Sequence, residues 1–99
     1  MGGDKLSSEE DVQEVWEKGK TATNYDKNKY RKDQCDAWMK RDKHGDRDSK
    51  LGWEIHHVDP DGGDATQNLA PLQWENNVAP GDGKLKCVVT SKENKNVKT

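Results

Sequence analysis

The sequence predicts a small α+β domain, in which an N-terminal helix precedes a unit of strand, loop, strand and short helix. Residues 12–16 carry apolar side chains at helical spacing, which indicates one buried helix face. Residues 53–57 alternate apolar and polar side chains with the period of a strand. Four tryptophans in 99 residues, with a net charge of only −2, favour a folded chain over a disordered one.

The helix is expected to begin at Ser7, because Ser7 and Glu10 have the spacing of a capping box. Gly19 is expected to stop it, and residues 20–34 are interpreted as loop. The further predicted elements are strands at 35–39, 53–57, 69–72 and 85–90, a loop at 60–64, a short helix at 73–78 and flexible ends at about 1–7 and 91–99. All of them fit one domain over residues 1–99.

The core is expected to be small, since hydrophobic residues make up only 28% of the chain. Lean cores often need a staple such as a disulfide or a metal ion. Cys35 and Cys87 lie in no CxxC pair, and the chain has neither a secretory signal nor an apolar run of about 18 residues. We therefore expect both cysteines to be unpaired packing residues in a reduced, intracellular protein without membrane contact.

The charges are distributed in blocks. Residues 18–50 hold eleven basic residues against six acids, 51–83 hold six acids and no Lys or Arg, and 84–99 hold five Lys against one Glu. An acidic, histidine-bearing block between two basic ones suits a metal site flanked by a phosphate-binding surface. Candidate phosphate contacts are Arg31, Lys32, Lys40, Arg41 and Lys84. For Arg31 and Lys32, an ion pair with Asp33 is an equal alternative.

Four side chains capable of hydrolytic chemistry fall within about twenty residues: His56, His57, Asn68 and Asn77. Hydrolysis of a phosphodiester requires an activated water and a cation that neutralises the developing charge, which a neutral histidine and a metal ion can supply. The third histidine, His44, lies in a charged turn and is expected to be solvated.

The stretch GWEIHHVDPDGGDATQNLAPLQWENNVAPGD, residues 52–82, resembles the HNH motif of bacterial and phage endonucleases. The upstream segments VWEKG and YRKDQCDAWM are also similar to leaders of that family, so the resemblance covers roughly residues 12–84. It implies a beta-beta-alpha-metal (His-Me finger) fold and a metal-dependent endonuclease acting on DNA, with RNA as the alternative substrate. It also implies a cytoplasmic protein of a bacterial or phage-infected cell.

The resemblance assigns His57 as the general base and His56 and Asn77 as ligands of one divalent metal ion. Asn68 matches the middle Asn of the motif, which braces the loop by hydrogen bonds to backbone. Asn76 stands beside Asn77, so a shift of one residue in the ligand assignment stays open.

The chain departs from the family pattern at two positions. His56 replaces the more common Asp, which softens the site and makes Zn, Ni or Mn competitive with Mg. Pro80 stands where many relatives have Lys, which removes a phosphate contact. Two other hypotheses therefore stay open: a catalytically weak HNH-type module that binds nucleic acid or a partner protein, and a zinc-stabilised structural domain. The sequence leaves the oligomeric state and the need for a larger protein partner undecided.

Overall fold

The computed structural model describes residues 8–79 and 85–99, which form an α+β fold, as predicted. The two helices are α1 (Glu9–Trp16) and α2 (Trp74–Val78). The strands are β1 (Tyr30–Lys32), β2 (Trp38–Lys40), β3 (Trp53–His57), β4 (Leu69–Gln73), β5 (Val89–Lys92) and β6 (Lys95–Lys98).

The strands form three antiparallel sheets of two strands each, which pair β1 with β2, β3 with β4 and β5 with β6. The β3–β4 pair runs from Trp53 opposite Gln73 to His57 opposite Leu69. Proline has no backbone N–H, and Pro71 is tolerated in β4 because this strand lies at a sheet edge, where one donor can be absent from the ladder. Since α2 follows β4 directly, the expected order of strand, loop, strand and short helix is confirmed.

The core forms where the apolar face of α1 meets β2, β3 and β4. Its members are Val12, Val15, Trp16, Met39, Trp53 and Leu69. The rings of Trp16 and Trp53 lie 5.2 Å apart, and the Trp16 indole donates to the Lys27 carbonyl at 3.0 Å. This packing anchors β3 by its first residue and leaves its histidine end beyond the core.

The helix α1 is capped by Ser8, whose hydroxyl accepts a hydrogen bond from the Asp11 backbone at 3.1 Å. The predicted cap, Ser7, lies outside the described residues. The acidic side chains that follow Ser8 in the first turn stabilise the helix, because they lie at the positive end of its dipole.

The first sheet differs from prediction, because β1 lies in the segment expected to be loop and β2 begins at Trp38 rather than at Cys35. The reason is the Asp33 side chain, whose Oδ1 accepts the backbone N–H groups of Cys35 and Ala37 at 2.8 and 2.9 Å. Side-chain bonds of this kind compete with a regular ladder and make a turn. Asp36 completes it with a φ of 63°.

The same carboxylate joins this turn to the second sheet. Asp33 Oδ2 accepts hydrogen bonds from the Gln73 backbone at 2.9 Å and from Asn76 Nδ2 at 3.0 Å. Burial raises the pKa of Asp33 even though these four hydrogen bonds favour its charged form. Asp33 is therefore the buried polar centre of the fold.

Cys35 and Cys87 form a disulfide, so the prediction that both cysteines are unpaired was wrong. The two residues are brought together by Asn76, whose Oδ1 accepts the backbone N–H groups of Val88 and Val89 at 2.8 and 2.9 Å. A sequence separation of 52 gives no signal of such a contact. The additional stabilisation expected for so small a core is thus a covalent cross-link.

The C-terminal residues expected to be a tail, 91–99, belong to the β5–β6 hairpin. The predicted strand at 85–90 overlaps β5 only at its end. Asn96 holds the hairpin against β2: its side chain accepts from the Trp38 N–H at 2.6 Å and donates to the Trp38 carbonyl at 3.0 Å. Across the described ranges 8–79 and 85–99, every helix is too short or too polar to cross a membrane.

Candidate active site

One face of β3 and the helix α2 bring three polar side chains together. Glu54 and His56 share that face because alternate strand residues point the same way. Asn77 reaches both from α2: its Oδ1 lies 3.3 Å from His56 Nδ1, and its Nδ2 donates to Glu54 Oε1 at 2.9 Å. Two of the sequence-predicted site residues, His56 and Asn77, are therefore in direct contact.

Glu54 fixes the orientation of the Asn77 amide. A carboxylate only accepts hydrogen bonds, so it takes the NH₂ group and turns the amide oxygen toward His56. Arg47 holds Glu54 in turn, with Nε and Nη2 at 2.5 and 3.0 Å from the two carboxylate oxygens. Burial would raise the pKa of Glu54, but the hydrogen bonds from Arg47 and Asn77 outweigh it and hold the pKa below its ordinary value.

The 3.3 Å separation of His56 Nδ1 and Asn77 Oδ1 is that of a hydrogen bond, and it is also compatible with two ligands of one metal ion. Two ligand atoms at about 2.1 Å from one ion lie about 3.0 to 3.4 Å apart for octahedral or tetrahedral angles. The separation of 3.3 Å falls in that range. An amide oxygen only accepts, so His56 Nδ1 carries the hydrogen of this contact, and a bound cation would take the place of that proton.

His57 is the last residue of β3, and its ring nitrogen Nε2 lies 2.8 Å from Asp64 Oδ1 in the following loop. Because the carboxylate accepts, Nε2 of the neutral ring carries the hydrogen and Nδ1 keeps its lone pair. Within the described residues no hydrogen bond joins His57 to His56 or Asn77. The two histidines therefore have different partners.

Asn68 makes three hydrogen bonds across the loop between β3 and β4. Its Oδ1 accepts from the Asp59 N–H at 2.9 Å, and its Nδ2 donates to the carbonyls of Asp59 and Gly63 at 2.8 and 2.9 Å. A Cβ atom at Gly62 would meet the Asn68 amide at 2.8 Å, so the loop closes tightly around this side chain.

The adjacent asparagines of α2 have separate surroundings. Asn76 is buried and hydrogen-bonded to Asp33, Val88 and Val89, whereas Asn77 contacts Glu54 and His56. A shift of one residue would put the ligand in the buried network, which argues against that alternative.

Arg31, one of the predicted phosphate contacts, is largely buried. It is 7% exposed, and its guanidinium donates to the carbonyls of Lys27, Glu17 and Gly19 at 2.9 to 3.1 Å. It does not pair with Asp33 either, because that carboxylate is bonded to the turn and to the second sheet. The guanidinium instead closes the connection after α1.

The other predicted phosphate contacts differ in their surroundings. Arg41 donates to Gln13 Oε1 at 3.0 Å and forms an ion pair with Glu9 at 3.2 Å, which leaves its side chain 19% exposed. Lys32 and Lys40 are partly exposed on β1 and β2. Lys84 and Pro80 lie outside the described residues.

His44 is half-buried, contrary to the expectation that it is solvated. Its ring packs 4.8 Å from the Trp53 ring, next to the core. Burial and the nearby Arg41 lower its pKa, and the carboxylates of Glu54 and Glu9 oppose that shift only in part. His44 is therefore a packing residue beside the site.

Sequence reasoning missed Glu54, Arg47 and Asp64. Glu54 had a usable signal, since it stands two residues before His56 and so shares its strand face. Arg47 and Asp64 reach the site only through loop closure, which residue spacing does not reveal. Throughout residues 8–79 and 85–99, no three His, Cys, Asp or Glu side chains converge as a metal cluster, so the candidate site depends on the Asn77 amide oxygen.

The chain matches no protein-family model, no curated protein and no solved structure. The geometry of these side chains is therefore the basis for assigning a function.

Proposed function

We propose that this domain is a metal-dependent endonuclease of the HNH type, which hydrolyses phosphodiester bonds in DNA with His57 as general base. One observation carries the proposal: a metal-compatible pair of donor atoms, on His56 and Asn77, lies next in the chain to a histidine whose ring is oriented by a carboxylate. The order of β3, β4 and α2 supports it, because the HNH resemblance implies a hairpin followed by a helix.

His56 and Asn77 would hold the metal ion, and Glu54 and Arg47 would keep the Asn77 oxygen aimed at it. Such outer hydrogen bonds commonly set the orientation of a ligand. A bound divalent ion supplies positive charge that polarises a phosphate and neutralises the charge developing on its oxygens.

His57 accepts a proton from water at Nδ1, the nitrogen that the Asp64 contact leaves free. The carboxylate of Asp64 then faces the imidazolium that forms and stabilises it. Asn68 keeps the loop closed so that Asp64 stays within reach of the ring.

The proposal predicts that His57→Ala lowers the cleavage rate by about 10²–10⁴, the usual range for loss of a general base. Metal affinity and stability of this variant should stay close to those of the parent, because His57 is not a ligand. His56→Ala should bind metal more weakly, and excess metal should partly restore its rate.

The measurements are plasmid nicking with Mg, Mn, Zn or Ni, with and without chelator, and metal titration calorimetry on the parent and both variants. If His57→Ala loses the metal while His56→Ala keeps it, the two roles are reversed. If both variants cut like the parent, or the parent never cuts, the nuclease proposal is wrong.

A second candidate, a module that binds nucleic acid without cutting it, is favoured by the small ligand set of His56 and Asn77. The same experiment separates the two. Binding of DNA by the parent, together with intact plasmid in every metal, would select the non-cutting module.

A further inference from the structure

Tyr25, Tyr30 and Trp38 form an aromatic strip at the surface between β1, β2 and the preceding loop. Tyr25 lies 4.6 Å from the Trp38 ring and 6.2 Å from the Tyr30 ring, edge to face in the second case. Tyr25 is 41% exposed and is the one exposed aromatic side chain in the part of the chain that the structure describes. The strip therefore presents the Tyr25 ring to solvent.

The strip lines a groove made of three adjacent cavities. A cavity of about 290 Å³ is bounded by the three rings together with Leu51 and Asn94. It shares Tyr30 with a neighbouring cavity of about 320 Å³, and Tyr25 and Trp38 with another of about 500 Å³. The central cavity is large enough for a planar heterocycle of the size of a nucleobase.

Cations lie on both sides of the aromatic rings. Lys32 Nζ stands 4.7 Å from the Trp38 ring centroid on one side, and Lys29, Lys40 and Arg41 line the cavity on the other. Only two acids, Asp42 and Glu93, share the linings of the three cavities. The groove therefore alternates positive charge, aromatic surface and positive charge.

We propose that the aromatic strip binds an unpaired base of single-stranded nucleic acid, with the flanking phosphates on Lys32 and on Lys29 and Lys40. Proteins that bind single strands combine a cationic groove with aromatic rings on which bases stack. In the interior of a duplex both faces of a base are covered by its neighbours, so stacking on Tyr25 favours an unpaired base.

The inference deepens the proposed function and, as a statement about substrate, rests on it: the nuclease would prefer DNA with a single-stranded segment. Binding itself does not depend on cleavage. It can therefore be tested in chelator, where no metal-dependent cutting occurs.

The test is fluorescence anisotropy with a labelled single-stranded oligodeoxynucleotide, its duplex and the matching oligoribonucleotide. Tyr25→Ala should weaken single-strand binding about 5- to 100-fold, the range expected for loss of one stacked base, and leave duplex binding unchanged. Tyr25→Phe, which keeps the ring, should bind like the parent. Thermal melting of each variant verifies folding.

A second variant keeps the proposal falsifiable if Tyr25→Ala fails to fold. Lys32→Gln should reduce the dependence of single-strand affinity on salt, since it removes one phosphate contact. Lys86→Gln is the matched control, because Lys86 lines none of the three cavities. Equal binding by the parent, Tyr25→Ala and Lys32→Gln would overturn the proposal.

The two proposals fail in different ways. If single-strand binding depends on Tyr25 but no metal supports plasmid cleavage, the proposal for the aromatic strip is retained and the nuclease proposal is rejected. If the parent cleaves DNA and neither the Tyr25 nor the Lys32 variant changes single-strand binding, the nuclease proposal is retained and the proposal for the aromatic strip is rejected. If the protein binds the oligoribonucleotide more tightly than the single-stranded oligodeoxynucleotide, the aromatic strip is a binding site for RNA.

Discussion

Asparagine side chains organise the backbone at three places. Asn68, Asn76 and Asn96 each use the amide oxygen to accept backbone N–H groups and the amide nitrogen to donate to backbone carbonyls. An amide is suited to this role because it carries both a donor and an acceptor. In a chain with little apolar surface, these bonds position loops that packing alone does not fix.

At the residue scale, Asp64→Asn should lower the cleavage rate about 10- to 100-fold while leaving metal affinity unchanged, as is usual for a lost orienting contact. The amide that replaces the carboxylate can no longer stabilise the imidazolium of His57. Single-turnover cleavage and metal titration would measure both effects.

The matched control is Asp61→Asn in the same exposed loop, because the Asp61 interaction in that loop is a bond from its backbone N–H to Asp59. Equal rates for Asp64→Asn and the parent would show that Asp64 does not act on His57.

The sequence could name candidate site residues, but it could not name the side chains that contact them. His56 and Asn77 could be named from their place in the motif, and the structure brings them to 3.3 Å. The surroundings of Arg31 could not be predicted, because a cationic side chain in a basic block can be buried against backbone carbonyls as readily as it can face phosphate. Charge patterning does not distinguish these outcomes.

At the element scale, the strands with clear alternation were predictable and the turns made by side chains were not. β3 and α2 were predicted to within a residue, since a period of two and a following Pro-Gly pair are strong local signals. β1 and β6 are short and mostly polar, and they are held in place by the Asp33 turn and by the contact of Asn96 with β2. No local pattern marks such strands.

The disulfide joins the turn after β1 to the segment before β5, and its loss should destabilise the domain. Constraining a loop of this length in the unfolded chain typically contributes about 2–5 kcal/mol. Cys35→Ala/Cys87→Ser, or reduction of the parent, should therefore lower the free energy of unfolding by about that amount.

Urea denaturation with and without reductant measures this difference. The double variant serves as the control, since reductant should not change its midpoint. A parent whose midpoint is also unaffected would show that the cross-link does not contribute to stability.

At the scale of the whole molecule, acid should weaken the fold through Glu54 and Glu75. The hydrogen bond from Lys98 holds the pKa of Glu75 below its ordinary value, and Arg47 and Asn77 do the same for Glu54 against the effect of burial. A carboxyl with a lowered folded pKa stabilises the fold above its unfolded pKa, and that contribution is lost as the pH falls through the folded pKa. Asp33, with its raised pKa, has the opposite sign.

Lys98→Ala should therefore lose less stability than the parent between about pH 5 and pH 3, because Glu75 then titrates nearer its ordinary value. Lys92→Ala is the control, as no ion pair of Lys92 occurs among the described residues. Chemical denaturation across this pH range is the measurement. Parallel curves for the Lys98→Ala variant and the parent would contradict the role of the Lys98–Glu75 pair.

Each of the three sheets pairs two strands that are consecutive in the chain, and this has a consequence for folding. The segments that connect the paired strands have five, eleven and two residues, and the entropy lost on closing a short loop is small. Contacts between near neighbours in the chain also favour fast folding. The larger loop-closure costs therefore fall on the contacts made between the hairpins and with α1, which join more distant parts of the chain. Once formed, the disulfide keeps one of these long-range closures in place even when the hairpins separate.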